Sequence, residues 1–218
     1  MRGISVCRSI EPAALDELER IMTRIELPAG RVLFDEAAPA EGLFTLVDGV
    51  VKLFKMLPDG RRQITGFLLA GDFLGLAFFN SYAYSAEAVT DATLCRFPRD
   101  RFLALLERHP ALEKELLGRA SSELAAAQEQ MLLLGRKSAK ERVASFLLML
   151  ARRQQAAGRT TVALAMSRHD IADYLGLTIE TVSRGIRAAA AEGLIRLIDR
   201  HHYVVVDDRR LRFAAAAE

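Results

Sequence analysis

Four side chains near the C-terminus are spaced so that they can act together: Glu180, Ser183, Arg184 and Arg187 stand at i, i+3, i+4 and i+7. At about 100° per residue, that spacing places them on one narrow face of a helix. Val182, Ile186 and Ala189 then fall on the opposite side, where they must face a core. The outer face offers a carboxylate, a hydroxyl and two guanidiniums. A carboxylate can accept from the N4 amine of cytosine, and an Arg fork can grip O6 and N7 of guanine or a phosphate. Solvated helix faces also carry Glu and Arg, so the neighbouring elements have to decide between the two readings.

Just upstream, Ser167-Arg168-His169-Asp170 has the spacing of a capping box, in which Ser accepts from an early backbone N–H and Asp returns the bond. Ile171, Ala172 and Leu175 supply one apolar face, and Gly176 can take the left-handed conformation that stops a helix. Thr178 caps a second helix after a very short turn. This is the plan of a helix-turn-helix, with the second helix as the reader of duplex DNA. Ser167, Arg168, Thr178 and Thr181, at the starts of the two helices, join Glu180, Ser183, Arg184 and Arg187 in the candidate DNA-binding set. After Gly193, a plausible helix stop, Leu194–Ile198 and Tyr203–Val206 predict two strands of a winged hairpin. Its tip, Asp199-Arg200-His201-His202, is basic enough to touch phosphate. Adjacent histidines in a strand or turn point apart and no third ligand is evident, so no metal site is expected. No cofactor is assigned either.

Composition bounds the rest. The chain has 218 residues, 51% hydrophobic and 27% charged, as a soluble globular protein of one large or two small domains would have. The richest apolar stretch, Phe67 to Phe79, is broken by Gly71-Asp72, and Val143–Leu150 is too short to cross a bilayer. The first residues lack the apolar core of a secretory signal, so a cytoplasmic location is the default. Cys7 and Cys95 follow no metal spacing and make no disulfide scaffold. Residues 1–135 carry 15 Lys and Arg against 19 Asp and Glu, whereas residues 136–218 carry 15 against 9. A basic C-terminal part suits a polyanionic partner, although a solvated basic surface would show the same split.

Residues in the first hundred read as closely spaced short strands, among them Leu43–Val47 and Val50–Met56, punctuated by Pro28-Ala29-Gly30, Asp48-Gly49, Pro58-Asp59-Gly60 and Ala70-Gly71-Asp72. That pattern predicts a barrel or jelly roll, preceded by a helix from Ala13 to Arg24. From Ala111 to about Arg136 a seven-residue repeat appears: Leu117, Leu124 and Met131 take one core position, and Ala120, Ala127 and Leu134 the other. Small residues at alternate seam positions let two helices approach closely, as in a dimer coiled coil; the alternative is that the stripe packs on its own roll. A further helix, Ala139–Gln154, ends in the loop Gln155–Arg159. The predicted organisation is α+β, with a roll over 1–110, a dimerisation helix over 111–136 and a winged helix-turn-helix over 137–218.

Ile64-Thr65-Gly66-Phe67 with Ala70-Gly71-Asp72, Leu132 through Lys137, and above all Met166 through Arg184 resemble the Crp/Fnr family of bacterial regulators, in its FixK and Fnr branches. The resemblance covers nearly the whole chain. It implies a β-roll of the cyclic-nucleotide-binding type, a homodimer, a promoter site and RNA polymerase as a partner. It also implies that Glu180, Ser183 and Arg184 stand at the base-reading positions for TTGA-type inverted repeats, in a regulator of low-oxygen or nitrogen-linked genes. Gly185 departs from the pattern; a helix-interior glycine costs roughly 1 kcal/mol relative to alanine, and the sequence offers no account of it.

Cyclic-AMP-binding members carry a Glu after the glycine of the phosphate cassette and an Arg before a Ser-Ala pair. Here Leu76 follows Gly75 and Tyr84 precedes Ser85-Ala86, so the fixed cation for a cyclic phosphate is missing. Cys7 and Cys95 lie near two family cysteine positions, but two thiolates cannot hold a four-iron cluster. The four histidines, at 109, 169, 201 and 202, lie outside the expected strands of the roll, which weakens a haem reading. A FixK-like regulator without an effector fits best; a second reading gates DNA binding through a ligand or redox change in the roll, with a hinge near Gly135. A nucleotide-sensing module with a protein partner belongs to another class and is disfavoured by the missing Arg. No nucleophile–base pair, metal set or phosphate loop points to an enzyme.

Overall fold

In the computed structural model, which describes residues 12–76 and 80–216, the first described element is helix α1 (Pro12–Ile21). The expected helix ran on to Arg24, but the backbone turns extended at Thr23 instead. Thr23 and Ile25 are β-branched, and strand β1 (Thr23–Leu27) pairs antiparallel with β8 (Ala92–Pro98), Thr23 opposite Arg96 and Leu27 opposite Ala92. Ladder pairing here outweighs one more helical turn.

Between these lie β2 (Val32–Phe34), β3 (Gly42–Asp48), β4 (Val51–Met56), β5 (Arg62–Leu68), β6 (Phe73–Leu74) and β7 (Ser85–Ala88). They form two four-stranded sheets, in the orders β1-β8-β3-β6 and β2-β7-β4-β5. The expected strands at Leu43–Val47 and Val50–Met56 correspond to β3 and β4. Phe44, Leu46, Val51, Leu74, Ala86 and Leu94 bury their side chains in one core of the roll. Helices α1 and α2 (Arg99–Arg108), the latter not anticipated, cover a second core through Leu15, Leu18, Phe102 and Leu105. Cys95 is a buried free thiol in that second core, and burial pushes its pKa up. Cys7 lies outside the described residues.

Helix α3 (Pro110–Arg136) is unbroken, and the chain divides within it into two compact units, Met1–Ala126 and Ala127–Glu218. The last turns of α3 thus go with the C-terminal unit. There α4 (Ala139–Ala156) starts at a complete capping box: Glu141 N–H donates to Ser138 Oγ, and Ser138 N–H donates to Glu141 Oε2 at 2.6 Å. The Ser-x-x-Glu spacing at 138–141 would have signalled it. Then follow β9 (Val162–Ala163), α5 (Arg168–Leu175), α6 (Ile179–Ala191), β10 (Ile195–Leu197), β11 (His202–Val205) and α7 (Asp208–Ala215). Strands β10, β11 and β9 make a small antiparallel sheet in that order; β9 is too short to carry a sequence signal, and α7 was missed although Asp207 caps it, accepting the Arg210 N–H at 2.9 Å. Among the described residues, no helix is long and apolar enough to cross a membrane.

Candidate nucleic-acid interface

Each end of α5 is set by local chemistry. Ser167 Oγ accepts from the Asp170 N–H at 3.0 Å, and the Asp170 carboxylate accepts the Ser167 hydroxyl at 2.7 Å. Asp170 thus returns a bond to the capping residue, at its hydroxyl. Gly176 takes φ 61° and ψ 43°, the left-handed stop expected of it. Two residues later Thr178 caps α6, its Oγ1 accepting from the Thr181 N–H at 3.3 Å.

Helix α6 divides as its periodicity requires. Val182, Ile186 and Ala189 are buried, whereas Glu180, Arg184 and Arg187 are exposed and Ser183 is half-buried. Along the exposed side, the Thr178 and Thr181 hydroxyl oxygens lie 3.1 Å apart, and Arg184 Nη2 donates to Thr181 Oγ1 at 3.3 Å. This relay holds the guanidinium before any base is met. Hydrogen bonds from its own backbone N–H and from Thr178, with Arg184 nearby, hold the Glu180 carboxyl below its ordinary pKa. It is therefore an acceptor at neutral pH, as contact with a cytosine amine requires. Ile179, missed in the sequence, is also exposed at the first turn, and an apolar side chain there suits a thymine methyl.

The wing closes one side of the interface. Strands β10 and β11 pair Leu197 with Tyr203, and the tip is braced by Asp199, which accepts the His201 N–H at 2.6 Å and faces His202 Nδ1 at 3.0 Å. A cleft of about 450 Å³ opens between α6 and the wing, lined by Arg168, Ser183, Arg187, Asp199 and Arg200. Arg168 is half-buried there and donates to the Arg200 carbonyl at 3.5 Å. Among the described residues, no group of three His, Cys, Asp or Glu could hold a metal ion.

On α3, Leu117, Leu124 and Met131 are 61%, 61% and 65% exposed in the single chain, an apolar row facing solvent. Ala127 is exposed beside them and Ala120 is half-buried. Leu134 differs: it is half-buried, and its Cδ2 lies 3.4 Å from where a Cβ on Gly176 would stand. In the roll, the Tyr84 hydroxyl accepts the Gly75 N–H at 3.4 Å, and Tyr84 is packed against Phe34. A neutral phenol thus stands beside the backbone N–H of the glycine cassette, and Tyr84 precedes Ser85 where a cyclic phosphate would need a cation.

A capped reading helix, a glycine turn and a β-hairpin beside it define a winged helix-turn-helix, the DNA-binding element of a transcription regulator. Comparison with known proteins agrees: residues 24–109 match the cyclic nucleotide-binding domain, and residues 141–213 match the Crp-like helix-turn-helix domain. The transcriptional activatory protein AadR of Rhodopseudomonas palustris is 43% identical, with 100% of this chain and 91% of that protein covered. The nitrogen fixation regulation protein FixK of Bradyrhizobium diazoefficiens is 41% identical, with 100% and 92% covered. The solved structure of FixK2 from Bradyrhizobium japonicum superposes with a TM-score of 0.86 at 37% identity, covering 91% of this chain and 99% of that one. The chain belongs to the Crp/Fnr family of transcription regulators and is a FixK-like, DNA-binding transcriptional activator, not an enzyme.

Proposed function

We propose that this activator works as a homodimer that reads TTGA-type inverted repeats without cyclic nucleotide or iron–sulfur cluster. The observation that carries the reading is the exposed face of α6, where an ionised Glu180 and a pre-held Arg184 stand beside Ser183 with the opposite face buried. In a half-site, Glu180 accepts from cytosine N4, Arg184 donates to guanine O6 and N7, and Ser183 and Ile179 line the adjacent thymines. Arg168, Arg187 and Arg200 supply phosphate contacts that fix the register without reading sequence.

Dimerisation is supported by the solvent-facing row Leu117, Leu124 and Met131, an apolar stripe of coiled-coil period that a lone chain leaves wet. Two copies would hold their reading helices one DNA turn, about 34 Å, apart. Independence from an effector is supported by Tyr84 seated on the Gly75 N–H. The protein would then act on cytoplasmic promoters with RNA polymerase, its activity set by its abundance. A nitrogen-linked role is supported by the names of its FixK relatives, and a low-oxygen role by the family resemblance alone. A second reading, gating through the roll, draws on the match of residues 24–109 to a cyclic nucleotide-binding domain.

The test is a gel shift at fixed salt. Arg184→Ala is expected to lower affinity for a TTGA palindrome more than ten-fold, about 1–3 kcal/mol, while leaving non-specific binding in place. A variant that still prefers the palindrome over scrambled DNA removes Arg184 from base reading. Tight binding by the nucleotide-free wild type supports the ungated form; binding that appears only with added ligand supports the second reading.

A further inference from the structure

Arg142, near the start of α4, donates to three backbone carbonyls at once. Its Nη2 reaches Leu134 O at 2.8 Å, its Nε reaches Lys137 O at 2.9 Å, and its Nη1 reaches Leu175 O at 3.0 Å. Leu134 lies in the last turn of α3 and Leu175 ends α5. Carbonyls at helix C-termini have no partner within their helix and carry the negative end of its dipole. One guanidinium satisfies two such ends and the connection between α3 and α4, which a planar fork of five N–H donors can do and a single ammonium cannot. A second strap runs beside it: Gln130 Nε2, one turn earlier on α3, donates to Tyr174 O at 2.8 Å.

We propose that Arg142 is a positioning residue that locks the last turns of α3 to the helix-turn-helix and thereby sets the separation of the two reading helices. The proposal rests on the dimeric reading above. Met131, on the exposed stripe, and Gln130 and Leu134, held by the straps, lie on one short stretch of α3. Helix α5 runs into α6 through the short turn Gly176–Thr178, and the two helices pack on each other. Fixing Leu175 against Leu134 therefore fixes α6 against the last turns of α3, which carry Met131. Gly135 sits between two clamped carbonyls, Leu134 and Lys137, so a bend there has to break the clamp first.

The experiment measures affinity across palindromes whose half-sites are spaced at the optimum or at one base pair more or fewer, alongside sedimentation velocity and a thermal melt of each protein. Wild type should lose about ten-fold or more at the wrong spacings, since half-site separation mirrors the protein's two-fold geometry. Arg142→Gln should remain dimeric, lose affinity at the optimal spacing, and discriminate between spacings by less than about three-fold, because its reading helices are no longer held in register. A stability defect alone lowers affinity equally at all spacings. Gln130→Ala, which leaves no buried charge unpaired, should relax the preference in the same direction and decides the matter if Arg142→Gln does not fold. A dimeric wild type with strict spacing, and variants that keep that strictness, overturns the clamp alone. A monomeric wild type, or one indifferent to spacing, overturns the dimeric reading and the clamp with it.

Discussion

Gly185 in the reading helix lies directly against Val143 in α4: a Cβ at position 185 would stand 2.9 Å from Val143 Cγ2 and 3.2 Å from both Cβ and Cγ1. The glycine that the sequence could not explain is the point where α6 crosses α4 without room for a methyl group. Helix propensity alone favours Gly185→Ala by about 1 kcal/mol, whereas overpacking a closed contact costs about 1–3 kcal/mol. Because Val143 is itself buried, contact should win, and Gly185→Ala should lower both the melting temperature and DNA affinity. Val143→Ala on the same background should cost less than the two single changes added together. Additive losses in a double-mutant cycle, or a stabilised Gly185→Ala, would show that the crossing is loose.

Base-reading and phosphate-binding residues separate by salt. Arg168→Ala should weaken binding uniformly across sequences and reduce the slope of log K against log salt by about one. Glu180→Gln should keep that slope but relax the choice of base at one half-site position. Filter binding over a salt series with matched and mismatched sites checks both; a change of sequence preference on removing Arg168 would assign it to the bases instead.

The exposed row on α3 can be charged without disturbing either core. Leu124→Glu should leave the melt of the single chain intact and shift sedimentation from dimer to monomer, with at least ten-fold weaker binding to a palindrome. A dimer that survives this change has its interface elsewhere.

Stability should fall at alkaline pH. Burial pushes the hydroxyls of Tyr84 and Tyr174 up to about 12, and raises that of Tyr203, whose hydroxyl donates to the Leu147 carbonyl, further still. In the unfolded chain these groups lose their protons near pH 10. Between roughly pH 10 and 12 the unfolded state has released protons that the folded state keeps, so rising pH favours unfolding. Melting temperatures should be flat to about pH 9 and then drop, and Tyr174→Phe should shallow the drop. A melting temperature unchanged through pH 11 would show that these phenols titrate as freely folded as unfolded.

Much of the site was legible because the chemistry that sets it is local. Ser167, Gly176 and Thr178 start and stop their helices through contacts within a few residues, and the alternation of Val182, Ile186 and Ala189 with Glu180 and Arg184 follows from helical period alone. The wing was equally plain, since Leu197 and Tyr203 are only six residues apart when they pair. Helix α1 was read too long for the opposite reason: its end is decided by β8, some seventy residues away.

What the linear chain determined by itself, then, is which face of α6 is outward and what that face carries, because helix period, caps and side-chain identity suffice for it. Only the tertiary structure decided why residue 185 is glycine, which carbonyls Arg142 gathers, and what stands on the Gly75 N–H. Each of these depends on a partner from another element, brought near by packing that no short-range pattern encodes.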